Sequence, residues 1–233
     1  MNSQYVIILI FASVFGGVVF YNYYFGRKAL VKRKLKKATG KKVSDFVSGD
    51  IAKVVGKIEI VGEPLIAPLS GRQCAYYYVL VEQERSTGKS SSWETLIEEE
   101  VEGEFMIRDG RYRAHINSDN IKSYLVQDRE YSSGLGDDAT EVLEKYLQAH
   151  GEKSTGLFNF NKTIRYKEGV LEQDEFMAVI GRGEWKNASQ INLPDSYGRV
   201  LTICSTEKEP VYLSDDPDTV ETAYSELSTS GVL

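Results

Sequence analysis

The sequence predicts an α+β protein that is mainly β: one N-terminal transmembrane helix, then a β-barrel or sandwich carrying two or three short helices. Three observations point there. Residues 1 to 26 carry no charged side chain. Nine of the 28 basic residues crowd into positions 27 to 42, where no acid occurs, so the rest of the chain is strongly acidic. From Ile51 onward, short apolar stretches alternate with turn signals, as strands do. These shifts divide the 233 residues into a transmembrane helix over 5–25, a basic juxtamembrane segment over 26–48, a β-rich domain over 49–213 and a C-terminal short helix with a polar tail over 214–233.

The stretch Tyr5 to Phe25, YVIILIFASVFGGVVFYNYYF, would be about 31 Å long as a helix, enough to cross a hydrocarbon core. Tyr21, Tyr23, Tyr24 and Phe25 gather at one end, where amphipathic rings favour the headgroup layer. No basic residue precedes the stretch, which argues against a cleaved signal peptide. The flanking cations Arg27, Lys28, Lys32, Arg33, Lys34, Lys36 and Lys37 all follow it. The positive-inside rule then expects a single-pass membrane protein with its amino terminus outside and its C-terminal domain cytoplasmic. The same cations are expected to rest on anionic headgroups of the bilayer. Nucleic acid is not an expected partner, because the acidic remainder would repel a phosphate backbone.

In the β-rich part, Ile51 to Val61 reads as a strand with a break at Gly56, and Ala75 to Val81 as a strand covered on both faces. Phe105 to Ile116 reads as a hairpin turning on Asp109-Gly110 as a type I′ pair, which would set Ile107 opposite Tyr112. Its other face gathers Arg108, Arg111, Arg113 and His115. Further strands are expected at Thr163 to Tyr166, Phe176 to Ile180, Val200 to Cys204 and Val211 to Leu213. Ala139 to His150 carries one helical apolar stripe, capped by Asp137 or Asp138 and ended by Gly151. Ser214-Asp215-Asp216-Pro217 reads as a cap opening a helix to about Leu227.

Motifs that would carry chemistry mostly fail. Gly88-Lys89-Ser90 lacks the upstream glycine of a phosphate-binding loop, Gln83 standing there. Ser86 to Lys89 fits S-x-x-K without its companion elements. Gly134-Leu135-Gly136 is followed by Asp137 and Asp138, which would repel a pyrophosphate. His115 reads as a solvated partner of Glu104, and His150 as a helix-end imidazole. The runs Glu98-Glu99-Glu100 and Glu172 to Glu175 read as solvated strand ends or turns. No catalytic residue, metal site or cofactor is therefore assigned. Arg108, Arg111 and Arg113, three like charges on one face, are a candidate anion or headgroup contact unless nearby acids balance them.

The run Gly62 to Tyr77, GEPLIAPLSGRQCAYY, resembles the GIDE (BAM) domain, found in the mitochondrial E3 ubiquitin ligase of the outer membrane and in prokaryotic single-span membrane proteins. The resemblance rests on Pro68, Ser70, Gly71, Cys74, Tyr76 and Tyr77, a turn followed by the opening of a long strand. Phe105 to Gly110 and Leu171 to Gly181 are similar to two further segments of that family, and the first of these, with the acidic turn before Phe176 to Gly181, also suggests an OB-like barrel by analogy. In this reading the motif is structural, Cys74 being a small buried hydrophobe. The resemblance implies a membrane-anchored module that binds an unidentified protein partner or senses the membrane surface without catalysis. The family label alone would imply ubiquitin transfer and organelle organisation, but a RING finger needs about eight Cys and His ligands. This chain holds only Cys74, His115, His150 and Cys204. A membrane-tethered scaffold and a hydrolase of unrecognised type are the remaining alternatives.

Overall fold

The computed structural model describes residues 26–86, 88, 90–117, 119–133, 140–153 and 163–221. Its elements run in order α1 (Arg27–Lys37), β1 (Ile51–Ile60), β2 (Leu65–Ile66), β3 (Gln73–Cys74), β4 (Tyr76–Ser86), β5 (Ser91–Glu102), β6 (Phe105–Asp109), β7 (Tyr112–Ile116), β8 (Ile121–Tyr124), β9 (Arg129–Ser133), α2 (Glu141–Ala149), β10 (Ile164–Leu171), β11 (Phe176–Asn187), β12 (Arg199–Cys204) and β13 (Val211–Ser214).

Five strands close a barrel. β1 pairs antiparallel with β11 through residues 51–57 and then with β6 through residues 57–60. The β6–β7 hairpin follows, β7 pairs parallel with β12, and β12 returns antiparallel to β11. β1 can change partner because residue 56 is glycine: a Cβ there would lie 2.5 Å from the Arg108 carbonyl oxygen. The expected break at Gly56 is therefore a crossing point inside a continuous strand. Alternate residues fill the barrel, including Val54, Ile58, Phe105, Ile107, Ala114, Leu201 and Ile203, all buried. Val43 and Phe46 close one end; the Val43 amide donates to Asp109 (2.9 Å), and the Trp185 indole donates to the Phe46 carbonyl (2.9 Å).

The hairpin corrects its expected register. Asp109 pairs with Tyr112 and Ile107 with Ala114, so the two turn residues are Gly110 and Arg111. Gly110 alone has positive φ, 59°, the pattern of a type II′ turn with glycine at its first central position. A shift of two residues preserves the faces, which is why the apolar side still points into the barrel.

A second sheet of order β5-β4-β10-β9 stands beside the barrel, and the chain passes from it into the barrel between β10 and β11. α2 covers it, packing Leu143 and Leu147 on Val79, Val81, Ile97 and Ile164. The cap of α2 is Thr140, whose hydroxyl accepts from the Leu143 amide (3.3 Å); the expected caps Asp137 and Asp138 lie outside the described residues. Residues 217–221 are helical, and the rest of the expected C-terminal helix and tail lies outside the described residues.

The membrane reading is corrected. No helix among the described residues is long and apolar enough to cross a membrane. The expected span over 5–25 lies outside the described residues. A single-pass membrane protein with an outward amino terminus and a cytoplasmic domain is accordingly not supported. Nor do the basic residues after it form a free cationic strip. α1 holds seven cations in eleven residues, but buries Val31 and Leu35 completely against Val55, Ala178 and Tyr212. Lys32 pairs with Asp216 (2.7 Å) and Asp218 (3.2 Å), Lys36 with Asp218 (2.9 Å), Lys34 with Glu209 (2.7 Å), and Arg27 with Glu100. Lys28 lies over the Tyr124 ring, 4.6 Å from its centroid. The acidic remainder of the chain supplies the counter-surface that lipid was expected to supply.

Candidate functional site: an acidic cleft

The turn from Pro68 to Gly71 joins β2 to β3, with Gly71 at φ 71° and its amide donating to the Ala67 carbonyl (2.9 Å). What holds it is a residue from β10. Glu168, 1 % exposed, accepts from the Leu69 amide at 2.9 Å and the Ser70 amide at 3.4 Å. Cys74 is fully buried beside it, its thiol donating to the Leu65 carbonyl (3.7 Å). Burial, reinforced by Glu168, pushes that thiol up to about 11, so it is no nucleophile at neutral pH. Tyr76 donates to Glu100, Tyr78 donates to Glu98 (3.0 Å), and Tyr146 of α2 donates to Glu99 (2.6 Å). Burial first, and these carboxylates second, hold all three phenols above their usual range. Glu98-Glu99-Glu100 is thus a strand segment paired with tyrosines, where sequence reading expected a solvated end or turn.

Arg72, next in the motif, carries the turn outward. Its guanidinium donates to Asp128 (2.8 Å), to Glu172 (3.1 Å) and to the Ser70 hydroxyl (3.3 Å). This network borders a cleft of about 670 Å³ lined by Val126, Asp128, Glu175, Phe176, Asp215 and Glu221 among others, a size usual for ligand sites. Asp215 accepts from the Val126 amide (2.8 Å). Burial, with Asp128 and Glu175 adding to it, pushes its carboxyl up to about 7. Burial likewise raises Glu175, against the bond its carboxylate accepts from the Glu172 amide (2.8 Å). Among the described residues, Asp215, Glu175 and Glu221 take part in no ion pair. Phe176 offers a 38 % exposed ring at the wall, with the Lys57 ammonium 5.3 Å from its centroid.

The predicted arginine stripe does not belong to this cleft. Arg113 pairs with Glu59 (2.9 Å), Arg108 pairs with Asp174 (2.5 Å) and lies 3.5 Å from Glu59, and Arg111 stacks on Tyr112 (5.0 Å to the centroid). Nearby acids balance the first two. His115 is also corrected: it is 8 % exposed, its Nδ1 has no hydrogen-bond partner among the described residues, and burial holds its imidazole below the ordinary value, with Glu104 3.8 Å away. Among the described residues no cluster of three or more His, Cys, Asp and Glu could hold a metal ion.

Asp128, Glu175 and Asp215 escaped sequence reading because they lie far apart in the chain. Asp215 was legible only as one of two capping aspartates. The structure gives that duty to Asp216, whose carboxylate accepts from the Asp218 amide (3.0 Å), and leaves Asp215 for the cleft. No family model, no curated protein and no solved structure matches this chain.

Proposed function

We propose that this protein is a non-catalytic binding module whose acidic cleft takes a basic, lysine- or arginine-bearing segment of a partner protein. The observation that carries the reading is that Asp215, Glu175 and Glu221 line one cleft and form no ion pair among the described residues, whereas Arg72, which pairs directly with Asp128 and Glu172, reaches Glu175 only as a charge at longer range. Crowded carboxylates raise each other's proton affinity, and an incoming ammonium or guanidinium relieves that repulsion. The part-exposed Phe176 ring, already under the Lys57 ammonium, adds apolar wall against which an incoming side chain's alkyl stem can pack. A GIDE-like identity for residues 49–213 is proposed with it, and the Glu168-held turn at Pro68 to Gly71 supports a structural role for that motif.

Fluorescence anisotropy with a labelled arginine-rich peptide tests the reading on the full chain. Binding at low salt should weaken with ionic strength, and Asp215→Asn, Glu175→Gln and Glu221→Gln together should weaken it roughly tenfold. Equal binding of a glutamate-rich peptide, or indifference to the triple variant, refutes it. A hydrolytic reading has one observation in its favour, the Asp215 carboxyl half-protonated near neutral pH. It requires turnover of a substrate that Asp215→Asn abolishes.

A further inference from the structure

Between the last turn of α1 and the strands β11, β12 and β13 lies a second groove, of about 260 Å³. Its walls are mainly hydrocarbon: Ile51, 63 % exposed at the start of β1, Ile180 of β11 and the Tyr212 ring of β13. Its rim carries three cations, Lys34, Lys37 and Arg182, against one acid, Glu209. Lys34 is engaged by Glu209 at 2.7 Å, but Lys37 is exposed and in no ion pair among the described residues. Arg182 is exposed and stands 3.6 Å from Glu184, a loose contact. An exposed isoleucine alone is ordinary, and a solvated lysine is too. Their coincidence is not, because one cation from the basic segment, Lys37, and one from the otherwise acidic remainder, Arg182, flank the same exposed hydrocarbon.

We infer that this groove binds a single-tailed anionic amphiphile, a carboxylate or phosphate on one short alkyl or aryl chain, with its head between Lys37 and Arg182 and its tail against Ile51, Ile180 and Tyr212. The volume falls just under the usual range for drug-sized ligands, about 300–1,000 Å³, which suits one short tail and leaves no room for two. The two signs of complementarity act together: the tail is removed from water in proportion to its apolar area, and the head meets guanidinium and ammonium donors in charge-assisted hydrogen bonds. A cationic or neutral amphiphile gains only the first of these.

Cys204 lines the groove and is half-buried, whereas Cys74 is fully buried with its thiol bonded to a carbonyl. The rate at which neutral iodoacetamide alkylates Cys204 in the full chain therefore reports occupancy, site-resolved by peptide mass. Octanoate and octyl phosphate should each slow alkylation about fivefold or more at saturation, and the comparison between them reads the preferred head. Acetate and inorganic phosphate at the same concentration should leave the rate unchanged, and octylamine should slow it less than about twofold. Lys37→Glu with Arg182→Glu should raise the half-protecting concentration of octanoate about tenfold, and the milder Arg182→Gln about threefold, with unchanged far-ultraviolet circular dichroism as the folding control. Protection by octylamine equal to that by octanoate, protection by acetate alone, or indifference to both sets of variants overturns the inference.

Discussion

Replacing Asp215 by Asn isolates the electrostatics of the acidic cleft, because the amide oxygen can still accept from the Val126 amide while the charge is gone. The native carboxyl holds its proton up to about 7, whereas the ordinary value is 3.8. Over that interval the folded protein binds a proton that the unfolded chain has released, so this group makes stability fall as pH rises. Its contribution is fully present below about pH 4 and gone above about pH 7. A displacement of this size corresponds to at most about 4 kcal/mol. Asp215 is partly in contact with solvent, and screening reduces the expected effect to about 2 kcal/mol. Urea unfolding of both proteins at pH 4 and pH 8 measures it, since other titrating groups cancel in the difference. The stability of Asp215→Asn relative to the natural protein should improve by about 2 kcal/mol between the two pH values. A difference that stays constant with pH would falsify the claim that the cleft disfavours this charge.

His115 provides the opposite slope. Its buried imidazole stays neutral where the unfolded chain's protonates, so stability is lost as pH falls through about 6.5, and His115→Gln should flatten the acid limb of the same urea series. Glu168→Ala should cost about 2–3 kcal/mol in thermal or urea unfolding by stranding the Leu69 and Ser70 amides, and Glu168→Gln should recover part of it. Lys32, in contact with the nearly buried Asp216 carboxylate, should be worth about 1 kcal/mol, against less than about 0.5 kcal/mol for the exposed Lys36; a double comparison of Lys32→Ala and Lys36→Ala in high salt checks the ranking.

The strands were legible because their apolar residues alternate or cluster between turn signals: Ile51 to Val61, Phe105 to Ile116 and Val200 to Cys204 all fall on observed strands. The hairpin register was not, because Asp109-Gly110 and Gly110-Arg111 are both admissible turn pairs and only the pairing across the barrel selects one. β5 was missed for a different reason. Its run of glutamates looks solvated in isolation, and the tyrosines that receive those carboxylates lie some twenty or more positions upstream or on α2. The basic helix misled for the same cause: a cationic run invites an anionic surface, and in this chain that surface is the protein's own Asp216, Asp218 and Glu209. The motif around Pro68 was visible as a turn, while its anchor Glu168 comes from a strand almost a hundred residues later.

The sheet beside the barrel is assembled from two separate detours of the chain, β4 and β5 from the first and β9 and β10 from the second. The first detour leaves and rejoins the barrel at one spot, where the Val61 amide donates to the Glu104 carbonyl (2.9 Å). A short loop could therefore bridge positions 61 and 104 without disturbing the barrel's closure. Such a trimmed protein would nonetheless present the naked edge of β10, where every second residue of its eight loses the partner of its amide and carbonyl, to any neighbouring copy. Miniaturisation must excise both detours at once, or the shortened molecule becomes a seed for edge-to-edge polymerisation.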